Sequence, residues 1–264
     1  MILLNNEEVR IGRFPDGTLH MKQNCASWEP EDVICWRYES SEELLALYFL
    51  VNHLREHGHD IISLVMPYLP NARMDRAERE EDVFTLKYFI NFINSLDFYT
   101  VRVLDPHSAA SLMIDRLSLI DYVPEIKKPI KTLGFHENAD TLFFPDDGAV
   151  KRYAGKLGFP YTYGTKTRDW QTGQILSYHT NRPVNEGANI LIVDDICSYG
   201  GTFLHAARAL KKQGAGCIYL YVNHLENSVL KGELIKEDLI NRIYTSDSLF
   251  TKEHPKITVL WEAR

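Results

Sequence analysis

Short apolar runs alternate along the chain with longer stretches whose apolar residues recur at helical spacing. The runs Asp32–Trp36, Ile61–Pro67, Thr100–Asp105, Thr141–Asp146, Ile190–Asp195 and Cys217–His224 predict strands. Between them, Glu42–His57, Phe84–Leu96, Val150–Leu157 and Phe203–Gln213 carry the periodicity of amphipathic helices. A strand followed by a helix, repeated, predicts mainly parallel sheets with helices on both faces. Ligands of such sheets bind beyond the carboxyl ends of the strands. Nearly every polar cluster of interest falls at one of those ends.

Length and composition narrow this picture. A chain of 264 residues buries one large core or two ordinary ones, and two α/β lobes are expected, 1–122 and 123–264. No low-complexity linker or short-period repeat separates them. The net charge of −7 argues against broad nucleic-acid binding, where phosphate neutralisation by Lys and Arg dominates affinity. No apolar run approaches membrane-spanning length, and Asn5, Glu7 and Glu8 interrupt the N-terminal apolar residues, so no membrane association and a cytoplasmic location are expected. Cys25, Cys35, Cys197 and Cys217 stand singly and are expected to be reduced thiols.

The most informative stretch is "NILIVDDICSYGGTFLHAARALKKQGA", Asn189–Ala215. Asp194 and Asp195 close an apolar strand, where carboxylates must be paired or reach solvent or a ligand. Gly200 and Gly201 let backbone approach a ligand, and Thr202 is placed to cap the helix that follows. Backbone N–H groups and the positive helix end attract phosphate there. Two carboxylates beside such a cradle suit sugar hydroxyls or a bridging metal ion. The joint reading is a sugar-phosphate site, against the simpler alternative of a structural glycine turn before a capped helix.

Apolar strand, Asp-Asp, loop and Gly-Gly-Thr together resemble the phosphoribosyl diphosphate (PRPP) motif of the type I phosphoribosyltransferase fold. Five further segments resemble the ribose-phosphate pyrophosphokinase (PRPP synthetase) family in particular: "RFPDGT" (Arg13–Thr18), "VMPYLPNARMDR" (Val65–Arg76), "VLDPHSA" (Val103–Ala109), "FPDDGAVKR" (Phe144–Arg152) and "TKTRD" (Thr165–Asp169). They occur in the family's order and span nearly the whole chain. The resemblance implies an α/β fold of two phosphoribosyltransferase-like lobes, each a mainly parallel sheet flanked by helices. The N-terminal lobe would carry the ATP site and the C-terminal lobe the ribose 5-phosphate site.

The family transfers the pyrophosphoryl group of ATP to the 1-hydroxyl of ribose 5-phosphate, giving PRPP and AMP with magnesium as cofactor. The resemblance implies Lys166 and Arg168 as catalytic cations, and Asp16, Gly17, Thr18, Arg73, Met74, Asp75 and Arg76 as ATP-binding positions. His107 and Asp146 would lie at or near the metals. Asp194 would read the ribose hydroxyls, and Ser198, Tyr199, Gly200, Gly201 and Thr202 would wrap the 5-phosphate. Asp195 either joins Asp194 or orients the loop from behind. Asp16–Thr18 match a loop that in the family reaches a neighbouring subunit's adenine, which implies a homo-oligomer.

Some positions depart from the family pattern. Ser198 stands where Asp is common, Tyr199 where a small residue is common, Thr18 where Glu is usual and Met74 where a polar residue is common. These admit a larger ribosyl acceptor such as ADP-ribose, a PRPP-consuming phosphoribosyltransferase, or a non-catalytic synthetase-like regulatory subunit. The segment 168–187 has no clear periodicity. It is expected either as a flap over ATP or as a short hairpin turning at "TGQI".

Overall fold

The computed structural model of the chain describes residues 1–25, 29–168 and 175–263, with the side chains of 166–178 outside that description. The chain divides into two compact units, one built on Met1–Ile120 and the other on Asp121–Glu262.

The first unit opens with β1 (Ile2–Leu4), β2 (Glu7–Glu8), and a separate two-stranded hairpin of β3 (Ile11–Arg13) and β4 (Leu19–Met21). β5 (Asp32–Trp36), α1 (Glu43–Glu56), β6 (Ile62–Met66), α2 (Thr85–Ser95), β7 (Val101–Leu104) and β8 (Leu117–Ile120) follow. The main sheet has the order β2-β1-β5-β6-β7-β8, parallel from β5 to β8 and antiparallel at the β1 and β2 edge. All five residues of β6 are buried, as expected of a strand covered on both faces. α1 buries Ala46, Leu47, Leu50, Val51 and Leu54, and α2 buries Leu86, Phe89, Ile90 and Ile93, so each lays one helical stripe into the core. Trp36 is fully buried in the same core, and its indole N–H donates to Glu43 Oε2 at 2.8 Å.

The second unit contains α3 (Val123–Thr132), β9 (Thr141–Phe144), α4 (Asp147–Ala149), α5 (Gly155–Leu157), β10 (Tyr161–Arg168), β11 (Ile175–Thr180), β12 (Ile190–Cys197), α6 (Gly201–Lys212), β13 (Ile218–Leu225), α7 (Glu233–Lys236), β14 (Arg242–Ser246) and β15 (Ile257–Trp261). Its sheet runs β11-β10-β9-β12-β13-β14-β15, with every pair parallel except β10 with β11. The fold is therefore two mainly parallel sheets flanked by helices, as the alternating pattern predicts. No helix among the described residues is long and apolar enough to cross a membrane.

Three differences from the pattern have physical causes. α3 begins with Pro124 in its first turn and carries Pro129 inside, so its two prolines disguise a helix whose buried residues are Ile126 and Pro129. The predicted helix over 150–157 starts at Asp147 and passes through a π-helical turn, Val150–Ala154, between α4 and α5. After 160, β10 and β11 pair antiparallel, Gly164 with Thr180 and Lys166 with Tyr178, whereas the turn expected at "TGQI" lies mostly outside the described residues, which leave out 169–174.

Candidate active site

In the second unit three parallel strands deliver charged residues to one sheet edge, two of them carboxylates. β12 pairs with β9 at Ile190 with Thr141 and Ile192 with Phe143. Carrying that register forward sets Asp195 level with Asp146, just beyond the end of β9. β10 pairs with β9 at Tyr161 with Leu142, which sets Lys166 at the same carboxyl edge. The side chains of Lys166 and Arg168 lie outside the described residues.

Side chains alternate across a strand, so Asp194 and Asp195 face opposite ways. Asp195 is 4 % exposed and accepts a hydrogen bond from Arg152 Nη1 at 3.0 Å. Arg152 sits in the π-helical turn, a feature that collects at functional sites. The Asp195 backbone N–H donates to Asp194 Oδ1 at 3.0 Å. Burial first, then the negative charges of Asp195 and Asp146, push the Asp194 carboxyl well above the ordinary carboxylate range. Asp146 caps the helical turn behind it, its Oδ1 accepting from the Ala149 N–H at 3.1 Å.

The loop after β12 supplies the phosphate-type cradle. Gly200, not Thr202, is the N-cap of α6, and Thr202 is already inside the helix. This corrects the expected capping role: Gly200 adopts φ +84, a left-handed conformation that glycine takes without strain. The opening N–H groups of a helix lack intrahelical partners, and no side chain caps this one. A Cβ on Gly200 would stand 2.5 Å from Leu234 Cδ2, and one on Gly232 would stand 2.0 Å from the Tyr199 carbonyl oxygen. The loop is thus seated against α7 and the residue before it. Tyr199 is 60 % exposed.

A buried polar network lies beside this edge. The hydroxyls of Ser246 and Ser248 donate to the Asn223 carbonyl at 2.6 and 3.1 Å, and His224 Nδ1 meets Ser248 Oγ at 2.9 Å. Val222 pairs with Asp194 and His224 with Ile196, so the network fixes the neighbouring strand. Neither it nor Arg152 was assigned from the sequence. Arg152 stands within a quoted motif, but its partner is distant in the chain. Its position one turn and a half after a capping aspartate was the available signal.

In the first unit the remaining candidates occupy loops. Asp16, Gly17 and Thr18 form the turn between β3 and β4. Asp16 Oδ1 accepts from the Thr18 hydroxyl at 2.7 Å and from its N–H at 3.0 Å, which holds the Asp16 carboxyl below its usual range. Gly17 has φ +87. Arg73, Met74 and Arg76 are exposed and Asp75 half-buried in the loop after β6, where Arg76 Nε donates to Glu78 Oε1 at 2.9 Å. His107 is exposed in the loop after β7, two residues beyond Asp105, which is buried with φ +32.

Residues 141–240 match the model of the phosphoribosyl transferase domain. Among curated proteins, the ribose-phosphate pyrophosphokinase of Thermococcus kodakarensis is 30 % identical over 224 residues, covering 82 % of this chain and 77 % of that protein. The chain belongs to the ribose-phosphate pyrophosphokinase family. Its namesakes in Saccharolobus solfataricus and Sulfurisphaera tokodaii are 26 % and 27 % identical, over 80 % and 94 % of this chain and 74 % and 86 % of theirs. The crystal structure of phosphoribosylpyrophosphate synthetase from Mycobacterium smegmatis shares the fold, with a TM-score of 0.79 at 17 % identity over 96 % of this chain and 86 % of that one. Against this family background the candidate residues separate into two sets. Asp146, Asp194, Asp195, the backbone of Lys166 and the 198–202 loop share one edge of the second unit, whereas Asp16–Thr18, Arg73–Arg76 and His107 belong to the first.

Proposed function

We propose that the chain makes PRPP and AMP from ATP and ribose 5-phosphate by pyrophosphoryl transfer. The observation that carries this reading is the edge formed by β9, β10 and β12. A helix N-terminus without a side-chain cap follows two strand-end carboxylates, in a chain homologous to ribose-phosphate pyrophosphokinases over most of its length. The cradle at Ser198–Thr202 holds the 5-phosphate through backbone donors. Asp194, at the rim, accepts from ribose hydroxyls and orients the 1-hydroxyl. Tyr199, being exposed, is available to lie against the bound sugar phosphate.

In the reaction the 1-hydroxyl oxygen bonds to the β-phosphorus, the bond from that phosphorus to the α,β-bridging oxygen breaks, and the bridging oxygen leaves on AMP while the hydroxyl proton passes to solvent. Lys166 and Arg168 stabilise charge on the transferring phosphoryl oxygens. Asp16–Thr18 and Arg73–Arg76 hold the nucleotide, and on this reading the active unit is a cytoplasmic homo-oligomer.

The donor set fits magnesium on one side and less well on the other. Asp146, Asp194 and Asp195 are hard oxygen donors of the kind magnesium prefers. His107, in the first unit, offers nitrogen, a poorer donor for magnesium than oxygen. Bound magnesium supplies neutralisation of the phosphate oxygens.

The test is AMP production by the purified chain with magnesium, ATP and a panel of ribosyl acceptors. We expect AMP with ribose 5-phosphate. AMP with ADP-ribose alone would move the acceptor and leave the transfer intact. Absence of AMP with every acceptor, in a folded chain, would reject the enzyme assignment.

A further inference from the structure

We propose a thiophilic metal site in the first unit, formed by Cys25, His53 and His57 and suited to zinc, separate in chemistry and position in the chain from the carboxylate edge. One ligand atom from each residue lies within 4.8 Å of the others, a spacing that a small side-chain rotation closes around a single ion. His53 and His57 stand one helical turn apart at the C-terminal end of α1, with ring centroids 4.3 Å apart.

Hydrogen bonds already choose the tautomers. His57 Nδ1 lies 2.8 Å from the His53 carbonyl oxygen, and His53 Nε2 lies 3.2 Å from the Gln23 carbonyl oxygen. A carbonyl only accepts, so in each neutral ring the nitrogen facing it carries the proton. The lone pairs remain on His57 Nε2 and His53 Nδ1. A carbonyl partner on the other ring nitrogen is the arrangement that orients metal-binding histidines.

The third ligand is held independently. Buried His59 joins Asp32 Oδ2 at 2.6 Å through Nδ1 and the Cys25 carbonyl at 3.2 Å through Nε2. Asp32 Oδ1 in turn accepts from Asn5 Nδ2 at 2.8 Å. This chain of contacts fixes the backbone of Cys25 beside α1. A bound cation would take Cys25 as its thiolate.

Electrostatics favour that cation. The negative end of the α1 dipole points at His57, and the Asp32 carboxylate acts on Cys25. A cavity of about 680 Å³, lined by Gln23, Asn24, Phe49 and His53 among others, gives an entry path and room for an exogenous fourth ligand such as water. One sulfur and two imidazole nitrogens select zinc, copper or cobalt over magnesium. Binding replaces the thiol proton, which passes to solvent, and ties the segment before Cys25 to α1.

The experiment titrates the full chain with cobalt(II) in reducing buffer, watching for the thiolate-to-cobalt charge-transfer band, and then displaces cobalt with zinc. We expect the band in the unaltered chain and in Cys217→Ser, and its loss in Cys25→Ser. His57→Gln, at an exposed position, weakens the metal by at least about tenfold. No band in the unaltered chain, a band that survives Cys25→Ser, or undiminished affinity in His57→Gln would each overturn the site. Should Cys25→Ser fail to fold, His57→Gln decides alone.

Discussion

The two units keep their candidate residues in different ways. In the second, Asp194 and Asp195 are part of a strand, the cradle is the uncapped start of a helix, and Arg152 and Asp146 are held by the turn behind. In the first, Asp16–Thr18, Arg73–Arg76 and His107 lie on loops, where contacts such as Asp16 with Thr18 and Arg76 with Glu78 join near neighbours in the chain. The contrast separates two tasks. On the proposed reading, a pentose phosphate of constant shape would be met by rigid backbone, and a nucleotide by side chains that substitution alters without touching a core.

The largest effect that would sharpen this division is chemical. On the proposed role of Lys166, meeting charge that develops only in the transition state, Lys166→Ala should lower AMP production by about 1,000-fold or more while thermal melting is unchanged. Unchanged turnover would remove Lys166 from the mechanism.

Next comes the buried pair. Arg152→Ala leaves the Asp195 charge without its guanidinium and should destabilise the chain by about 3 kcal/mol in denaturant unfolding. The double change with Asp195→Asn should recover most of it, and failure to recover would show that Arg152 acts by packing instead.

A smaller effect follows from Asp194. Its folded carboxyl holds a proton more tightly than an unfolded one, so the folded chain binds more protons and its metal-free stability falls as pH rises from about 4 toward neutrality. Asp194→Asn should flatten that slope and raise the melting midpoint by a few degrees at neutral pH. Magnesium should raise the midpoint of the unaltered chain and not of the variant. A slope that persists in the variant would contradict the origin assigned here.

The smallest lies on the loop side. Asp16→Ala should change stability by no more than about 0.5 kcal/mol, since its partners are exposed, yet raise the KM for ATP. A large loss of stability would break the distinction between the units.

What was legible in the sequence follows the range of the interactions. The buried strands Asp32–Trp36, Ile62–Met66 and Ile190–Cys197 announce themselves because continuous apolar runs are local facts. The carboxylates and glycines of the 194–202 stretch are legible for the same reason. α3 was missed because Pro124 and Pro129 signal breakage when read alone, while tertiary burial of Ile126 keeps the helix. β14 and β15 mix polar residues with apolar ones and gain definition only from their neighbours in the sheet. The capping role went to Thr202 by residue preference, but the left-handed backbone at Gly200 begins the helix earlier. Arg152 with Asp195 pairs residues far apart in the chain, and the histidine tautomers around Cys25 depend on carbonyls that no residue pattern reveals.

The approach of Gly232 to the Tyr199 carbonyl also restricts how this protein can vary. A methyl group there would overlap a main-chain oxygen that has no rotamer by which to retreat. A saturation library at this codon should therefore return almost nothing but the parental residue. Inheritance at the site extends to a position whose only duty is to be empty.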